Sequence, residues 1–166
     1  MGGFAFHYIS HDGADKVFAE RLQARLRADG IPAWLVPESM KTTGTGEISM
    51  DRVQDLSRLH DKLLIVMSEA SLESEWLSRE IHLAHRREIF EFRRILFPIR
   101  IAPEETMART DDTLRQNLSS YLIHDFSGWR YELSEPSIQA LLKDLRTGFR
   151  PECEELSAFE DSGESP

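Results

Sequence analysis

The chain has 166 residues, 40% of them hydrophobic and 30% charged, and carries a formal net charge of −9. That length argues for one domain with a single sizeable core, and no apolar run approaches the roughly 20 residues needed to span a bilayer. The acidic balance weighs against nucleic-acid recognition through phosphates, although much of it is local: the six acidic residues after Arg150 meet no Lys or Arg, which leaves −3 for the rest.

The opening "MGGFAFHYIS" has neither a basic n-region nor a long apolar h-region, so no secretory signal is expected. Phe6 stands where a myristoylation pattern wants Ser or Thr. "FAFHYIS" (Phe4 to Ser10) reads as a strand that stops at the turn-like "HDGADK". "DKVFAERLQARLRADG" then places Val17, Phe18, Leu22, Leu26 and Ala28 at helical spacing, with Gly30 as the C-terminal cap. "PAWLV" (Pro32 to Val36) is a second strand, "PESMKTTGTGE" a loop, and "ISMDRVQDLSRL" a helix with Ile48, Val53 and Leu56 inward.

"KLLIVMS" (Lys62 to Ser68) is almost continuously apolar, the pattern of a strand buried on both faces of a parallel sheet. A third helix follows from about Ser71, with Glu73 and Glu75 early and His85, Arg86 and Arg87 late, an order that complements the helix dipole. "ILFPIRI" (Ile95 to Ile101) is a fourth strand, and Pro98 within it points to an edge, a bulge or a strand end. After a polar stretch, "YLIHDF" (Tyr121 to Phe126) is a fifth strand. The helix "SEPSIQALLKDLRTG" closes the pattern, with Ser134 as N-cap and Pro136 in the first turn. The domain is expected to occupy residues 1–150. Residues 151–166 form an acidic tail poor in large apolar groups, which reads as disordered. The lone Cys153 in that tail cannot form an intrachain disulfide and fits a reducing compartment, so a cytoplasmic location is expected.

Five strands alternating with helices predict a flavodoxin-like α/β sandwich of three layers, a roughly five-stranded parallel sheet flanked by helices. Ligands in such sheets sit beyond the carboxyl ends of the strands. These are the segments His11–Asp15, Pro37–Gly46, Ser68–Glu75, Ala102 onward and Ser127–Trp129.

Several motifs in those segments offer chemistry. "TTGTGE" places Gly44 and Gly46 before a helix, where backbone amides can hold phosphate, but the P-loop Lys and the G-x-G-x-x-G spacing are missing, which favours a flexible loop. His82 and His85 lie three apart on a helix without the H-E-x-x-H pattern or an obvious third ligand, so no metal site is expected. A receiver-type phosphoacceptor would need an Asp closing the third strand, where Ser68 and Glu69 stand instead. In "SEWLSREIHLAHRRE", Trp76 and Glu80 share one helical face. On pattern alone that pair reads as an amphipathic helix, with the indole partly buried and the carboxylate solvated or ion-paired.

Taken together, "YISHDGADKVFAERL", "GIPAWLVPESM" and "HDKLLIVMSEASLESEWLSREI", followed by "LFPIRI" and "HDFSGW", resemble a TIR (Toll/interleukin-1 receptor) domain of the bacterial type. The resemblance covers about Phe4 to Phe149. It is most specific in the third segment, where Ser68, Ser71, Ser74, Trp76 and Glu80 stand at the family's spacing. Many TIR domains cleave NAD+ at the nicotinamide–ribose bond, with a catalytic Glu on this helix. The resemblance therefore implies Glu80 as the catalytic residue and Trp76 beside the substrate.

It further implies that the loop from Pro37 to Ile48 helps to close the site, with Lys41 as a phosphate contact, and that Ser10, His11 and Asp12 face the same cleft. His11 stands where many relatives carry an aromatic, a departure that bears on how one ring of NAD+ stacks. Trp34 matches an aromatic of the bacterial group and suits either the site or the core. Ser68 and Ser71 suit either ribose contacts or helix capping.

The chemistry is coherent. Loss of nicotinamide builds oxocarbenium character on the ribose, which a carboxylate can stabilise while an indole packs on a ring. The leaving group already bears positive charge, so neither metal nor cofactor is needed and NAD+ is the substrate. The implied activity is an NAD+ glycohydrolase giving nicotinamide and ADP-ribose, or a cyclic ADP-ribose isomer. Implied with it are self-association with other TIR domains, a sensor protein or fused sensor domain, and a part in antiphage or cell-suicide signalling without direct nucleic-acid or membrane contact. Two rivals remain at this stage: a non-catalytic TIR scaffold, and a nucleoside deoxyribosyltransferase, which shares the layout and a catalytic Glu.

Overall fold

Short apolar runs separated by helices leave the chain one economical arrangement, a parallel sheet covered on both faces. A computed structural model describes residues 6–59 and 61–147, so the predicted acidic tail, Cys153 and the beginning of the first predicted strand lie outside the described residues. The elements run β1 (His7–His11), α1 (Lys16–Ala28), β2 (Ala33–Pro37), α2 (Met50–Ser57), β3 (Lys62–Met67), α3 (Glu69–Leu72) and α4 (Glu75–Glu91). They continue with β4 (Leu96–Arg100), α5 (Glu104–Ala108), α6 (Asp112–Leu118), β5 (His124–Asp125) and α7 (Glu135–Thr147). The strands form one sheet in the order β2-β1-β3-β4-β5, every pair parallel, with Ser10 beside Val36 on one side and Ile65 on the other. This is the predicted flavodoxin-like plan.

Alternation along the strands divides the core into two layers. Ile9, Leu64, Val66, Phe97 and Ile99 face α1 and α7, where Phe18, Leu22, Leu26, Ile138, Leu141 and Leu145 meet them. Leu63, Ile65, Met67 and Leu96 face the other way, toward Val53, Trp76, Leu77, Ile81, Leu114 and Leu118 of α2, α4 and α6. β1 and β3 are neighbours whose following helices cover opposite faces, so the topological switch point lies between their carboxyl ends.

Local chemistry sets the boundaries. α1 ends in a Schellman motif: Gly30, at φ +84, donates to the Arg27 carbonyl, and Ile31 reaches back to that of Leu26, which needs the left-handed conformation glycine adopts without strain. Val17 is exposed, and Phe18, Ala19, Leu22 and Leu26 make the buried face of α1. Gln23 and Arg27 of α1 both donate to the Ala33 carbonyl on β2, the edge strand.

The predicted third helix is two helices. Ser68 and Ser71 form a capping box over the one-turn α3, and α4 starts afresh after Ser74. Pro98 sits inside β4, opposite Ile65, and not at a sheet edge. Ile101 donates to the Met67 carbonyl of β3, so the alternate residue Pro98 has its missing N–H on the β5 side. Pairing there begins only at Ile99, which leaves β5 two residues long where six were expected. The polar stretch after β4 contains α5 and α6. Buried Glu88, near the end of α4, accepts from the backbone N–H groups of Ile95 and Leu96 at 2.7 and 2.8 Å and from the Tyr121 hydroxyl, fastening the start of β4 to that helix.

Candidate active site

Four side chains from three segments converge beside the carboxyl end of β1. Ser10 has an even position in β1 and points to the α4 face, where Glu80 lies one turn beyond Trp76. The Ser10 hydroxyl donates to Glu80 Oε2 at 2.6 Å. Lys41, from the 3-10 turn Glu38–Lys41 that follows β2, places its Nζ 2.9 Å from Glu80 Oε1, and it also donates to the Ser10 hydroxyl. The same ammonium stands 3.5 Å from the centroid of the Trp76 indole. Glu80 is 2% exposed and Lys41 and Trp76 are 0% exposed. The carboxylate is thus fully furnished with partners and closed to solvent, and the buried Trp76 Nε1 has no protein acceptor.

The segment that carries Lys41 is held together largely by its own backbone. Ser49 N donates to the Lys41 carbonyl at 2.8 Å, Thr43 N to that of Glu47 at 2.7 Å and Gly46 N to that of Thr43 at 2.9 Å, while Thr42 and Ile48 form an isolated bridge. Gly46 has φ +85 in that turn. The expected flexible loop is a small flap with a lysine at its root. The expected phosphate contact, Lys41, is here an ion-pair partner of Glu80.

The other expected residues are placed differently. His11 is buried with its Nδ1 3.5 Å from the Ile9 carbonyl, and burial, more than the nearby Lys41 charge, pushes its pKa below the usual imidazole value. Asp12 caps the 3-10 turn Gly13–Asp15 through the Ala14 N–H. Trp34 packs against the rings of Phe6 and Tyr8 on the edge strand. Ser68 and Ser71 cap α3, and Ser68 also donates to Asp15. His85 lies 3.0 Å from the Tyr121 hydroxyl.

Asp15 is a residue that sequence reading passed over. It falls in the segment after β1 flagged as a ligand-bearing edge, but only the fold shows that its carboxyl is buried at the switch point against Ser68. Burial pushes that carboxyl up, and the Ser68 hydroxyl opposes the shift in part. With Ser68, Arg100 and Trp129, Asp15 lines a cavity of about 680 Å³ that none of Ser10, Lys41, Trp76 and Glu80 touches. This cavity is therefore separate from the four-residue cluster.

The family model described as TIR domain matches residues 8–142. No curated protein sequence matches the chain. Among solved structures, the chain is similar to the TIR domains in "Structure of the activated Roq1 resistosome directly recognizing the pathogen effector XopQ". That match has a TM-score of 0.53 at 16% identity, over 85% of this chain and 99% of that one. A metazoan TIR-STING receptor from C. gigas matches with a TM-score of 0.40 at 22% identity, over 71% of this chain and 41% of that one. The first of these likenesses bears on the fold. Among the described residues no helix is long and apolar enough to cross a membrane.

Proposed function

The chain belongs to the TIR-domain family, and from that premise we propose that it is an NAD+ glycohydrolase whose catalytic residue is Glu80. The observation that carries this reading is a carboxylate buried on one helical face with an indole, beside the carboxyl end of a central strand. In the proposed reaction the bond between ribose C1 and the nicotinamide nitrogen breaks, and its electron pair neutralises the pyridinium ring. Glu80 faces the oxocarbenium character that develops at C1 and stabilises it electrostatically. Water adds at C1 and loses a proton to give ADP-ribose, or a group of the same nucleotide adds there to give a cyclic isomer. The Ser10 hydroxyl, bonded to Oε2, fixes the carboxylate so that Oε1 is the oxygen offered to the ribose. Oε1 is the oxygen that Lys41 holds, so catalysis requires Lys41 to leave it. Self-association with other TIR domains, driven by a sensor protein or a fused sensor domain in a cytoplasmic antiphage or cell-suicide response, is the proposed trigger.

The closure of Glu80 favours one second reading, a TIR scaffold that signals by association and performs no chemistry. NAD+ consumption measured over a wide range of protein concentration, with crowding agent and beside Glu80→Gln, separates the two. Consumption that rises more steeply than linearly with concentration and disappears in the variant supports the enzyme. Chromatography of the products then assigns hydrolase or cyclase. Association without consumption at any concentration supports the scaffold.

A further inference from the structure

The cavity lined by Asp15 lies across the carboxyl ends of four strands. Asp15 follows β1, Ser68 follows β3, Arg100 ends β4 and Trp129 follows β5. Open parallel sheets bind ligands at this edge, and about 680 Å³ is room for a small organic molecule. Asp15 is its buried carboxyl, at 9% exposure. Ser68 donates to Oδ2, and among the described residues no donor reaches Oδ1. Burial and the nearby Asp12 charge both push this carboxyl up, and no basic side chain among the described residues holds it down. Glu80 has Lys41 for that purpose. A buried carboxylate ordinarily has a cation beside it, and here the open side of Asp15 is the cavity.

The rest of the lining narrows the class of ligand. Glu69, Glu104 and Glu105 reach the same cavity and are exposed. Two guanidinium groups stand against these carboxyls. Arg100 is already held by Asp125 at 3.0 Å and by the Ala102 carbonyl at 2.8 Å, and Arg130 lies 5.7 Å from the centroid of the Trp129 ring. A phosphate or carboxylate ligand would meet an excess of like charge. A single metal ion does not fit the spacing either. Among the described residues, no three His, Cys, Asp or Glu side chains stand close enough together to hold one. Carboxyls that share a cavity but not a centre match positive charges spaced along a chain, and the indole of Trp129 gives the apolar stretches of such a chain a surface to lie on.

We infer that this cavity is a binding site for a linear polyamine, with one ammonium on Asp15 Oδ1, others toward Glu69, Glu104 and Glu105, and the methylene chain along Trp129. None of Ser10, Lys41, Trp76 and Glu80 lines the cavity, so the site stands or falls apart from the cleavage of NAD+.

The test reads binding at Trp129, because six acidic residues after Arg150 would also attract a polyamine without specificity. Trp129→Phe and Trp34→Phe identify the indole N–H signals of those residues in nitrogen-15-labelled full-length protein. Wild type, Asp15→Asn and the double variant Glu104→Gln/Glu105→Gln are titrated with spermidine at an ionic strength of about 0.15 M, where exposed charges are screened. Triethylene glycol serves as a neutral chain of the same length. The expected result is a saturable shift of the Trp129 signal by spermidine alone, with the Trp34 signal, on β2, unmoved. Asp15→Asn keeps the shape and the acceptor for Ser68, and should raise the apparent Kd by about tenfold or more. The double variant should raise it by about threefold or more. No Trp129 shift, an equal response to the glycol, or an unchanged Kd in Asp15→Asn overturns the site. Should Asp15→Asn fail to fold, the double variant at the exposed glutamates decides, and an unchanged Kd there overturns the site as well.

Discussion

Replacing Lys41 tests whether the buried pair is a true energetic unit. Lys41→Met keeps an unbranched stem over Trp76 and removes the ammonium, leaving Glu80, at 2% exposure, with the Ser10 hydroxyl donating to it. Removing one partner of a buried ion pair costs about 3–5 kcal/mol, because the surviving charge is stranded. Glu80→Gln strands the ammonium instead and should cost a similar amount. The double variant strands neither, and a buried pair replaced by neutral groups of like shape is close to isoenergetic, so its loss should be only about 0–2 kcal/mol. The cycle therefore predicts a coupling of about 3 kcal/mol or more, and each single variant should lower Tm by on the order of 10 °C. Urea denaturation at neutral pH, with unchanged m-values, reads all four stabilities. A double variant whose loss equals the combined single losses to within about 0.5 kcal/mol would show that the two residues are independent and refute the reasoning.

Three other perturbations follow from the geometry. His11 is held below the usual 6.5 by burial, so the folded state binds fewer protons than the unfolded one as the pH falls below 6.5. Its contribution to stability is complete above that pH and declines below it, by at most about 1.4 kcal/mol per pH unit. His11→Phe should flatten that slope in denaturation series at several pH values, and an unchanged slope would refute the assignment. Glu88→Ala leaves the buried N–H groups of Ile95 and Leu96 without their acceptor. It should cost about 2–5 kcal/mol, with early loss of amide-exchange protection at those two residues, and retained protection would count against the clamp. Glu135 pairs with Arg25 through two 2.6 Å hydrogen bonds, and that guanidinium holds its carboxyl down from 4.5 to about 2. Its stabilisation is present above pH 4.5 and is lost as the pH falls toward 2. Glu135→Gln should therefore be less stable than wild type near neutrality and match it at the acid end; a constant difference across that range would contradict the pairing.

Much of this was written in local sequence. The period of "KLLIVMS" reports burial on both faces, and β3 is indeed the central strand. The interval from Trp76 to Glu80 reports a shared helical face, and both are buried there. Gly30 announces the end of α1, because few other residues take up its conformation. What escaped was non-local or depended on a competing bond. No spacing rule joins Lys41 to Glu80, since the path of the flap backbone decides their meeting. The break before α4 comes at Ser74, whose extended backbone interrupts a helix that hydrophobic period alone would have continued. Pro98 points in sequence to an edge, a bulge or a strand end, because a proline is harmful only where its missing N–H is needed. Its neighbour on that side starts one residue later. Trp34 fitted a site or a core equally well, and its ring contacts with Phe6 and Tyr8 could not be read before the strand register was known.

The treatment of the Ala33 carbonyl has a consequence for how copies of this chain can meet. Gln23 and Arg27 fill that acceptor on β2, so a strand arriving from another molecule finds a hydrogen-bonding position already taken. At the opposite margin, β5 offers two residues, too short a rung for a ladder to extend. Both margins of the sheet are blunted, one by side chains and the other by brevity, which is how natural sheets resist runaway strand addition. Crowding such molecules together, as an assembly-driven signal would, can therefore press helices and loops against one another while the backbone ladders stay separate.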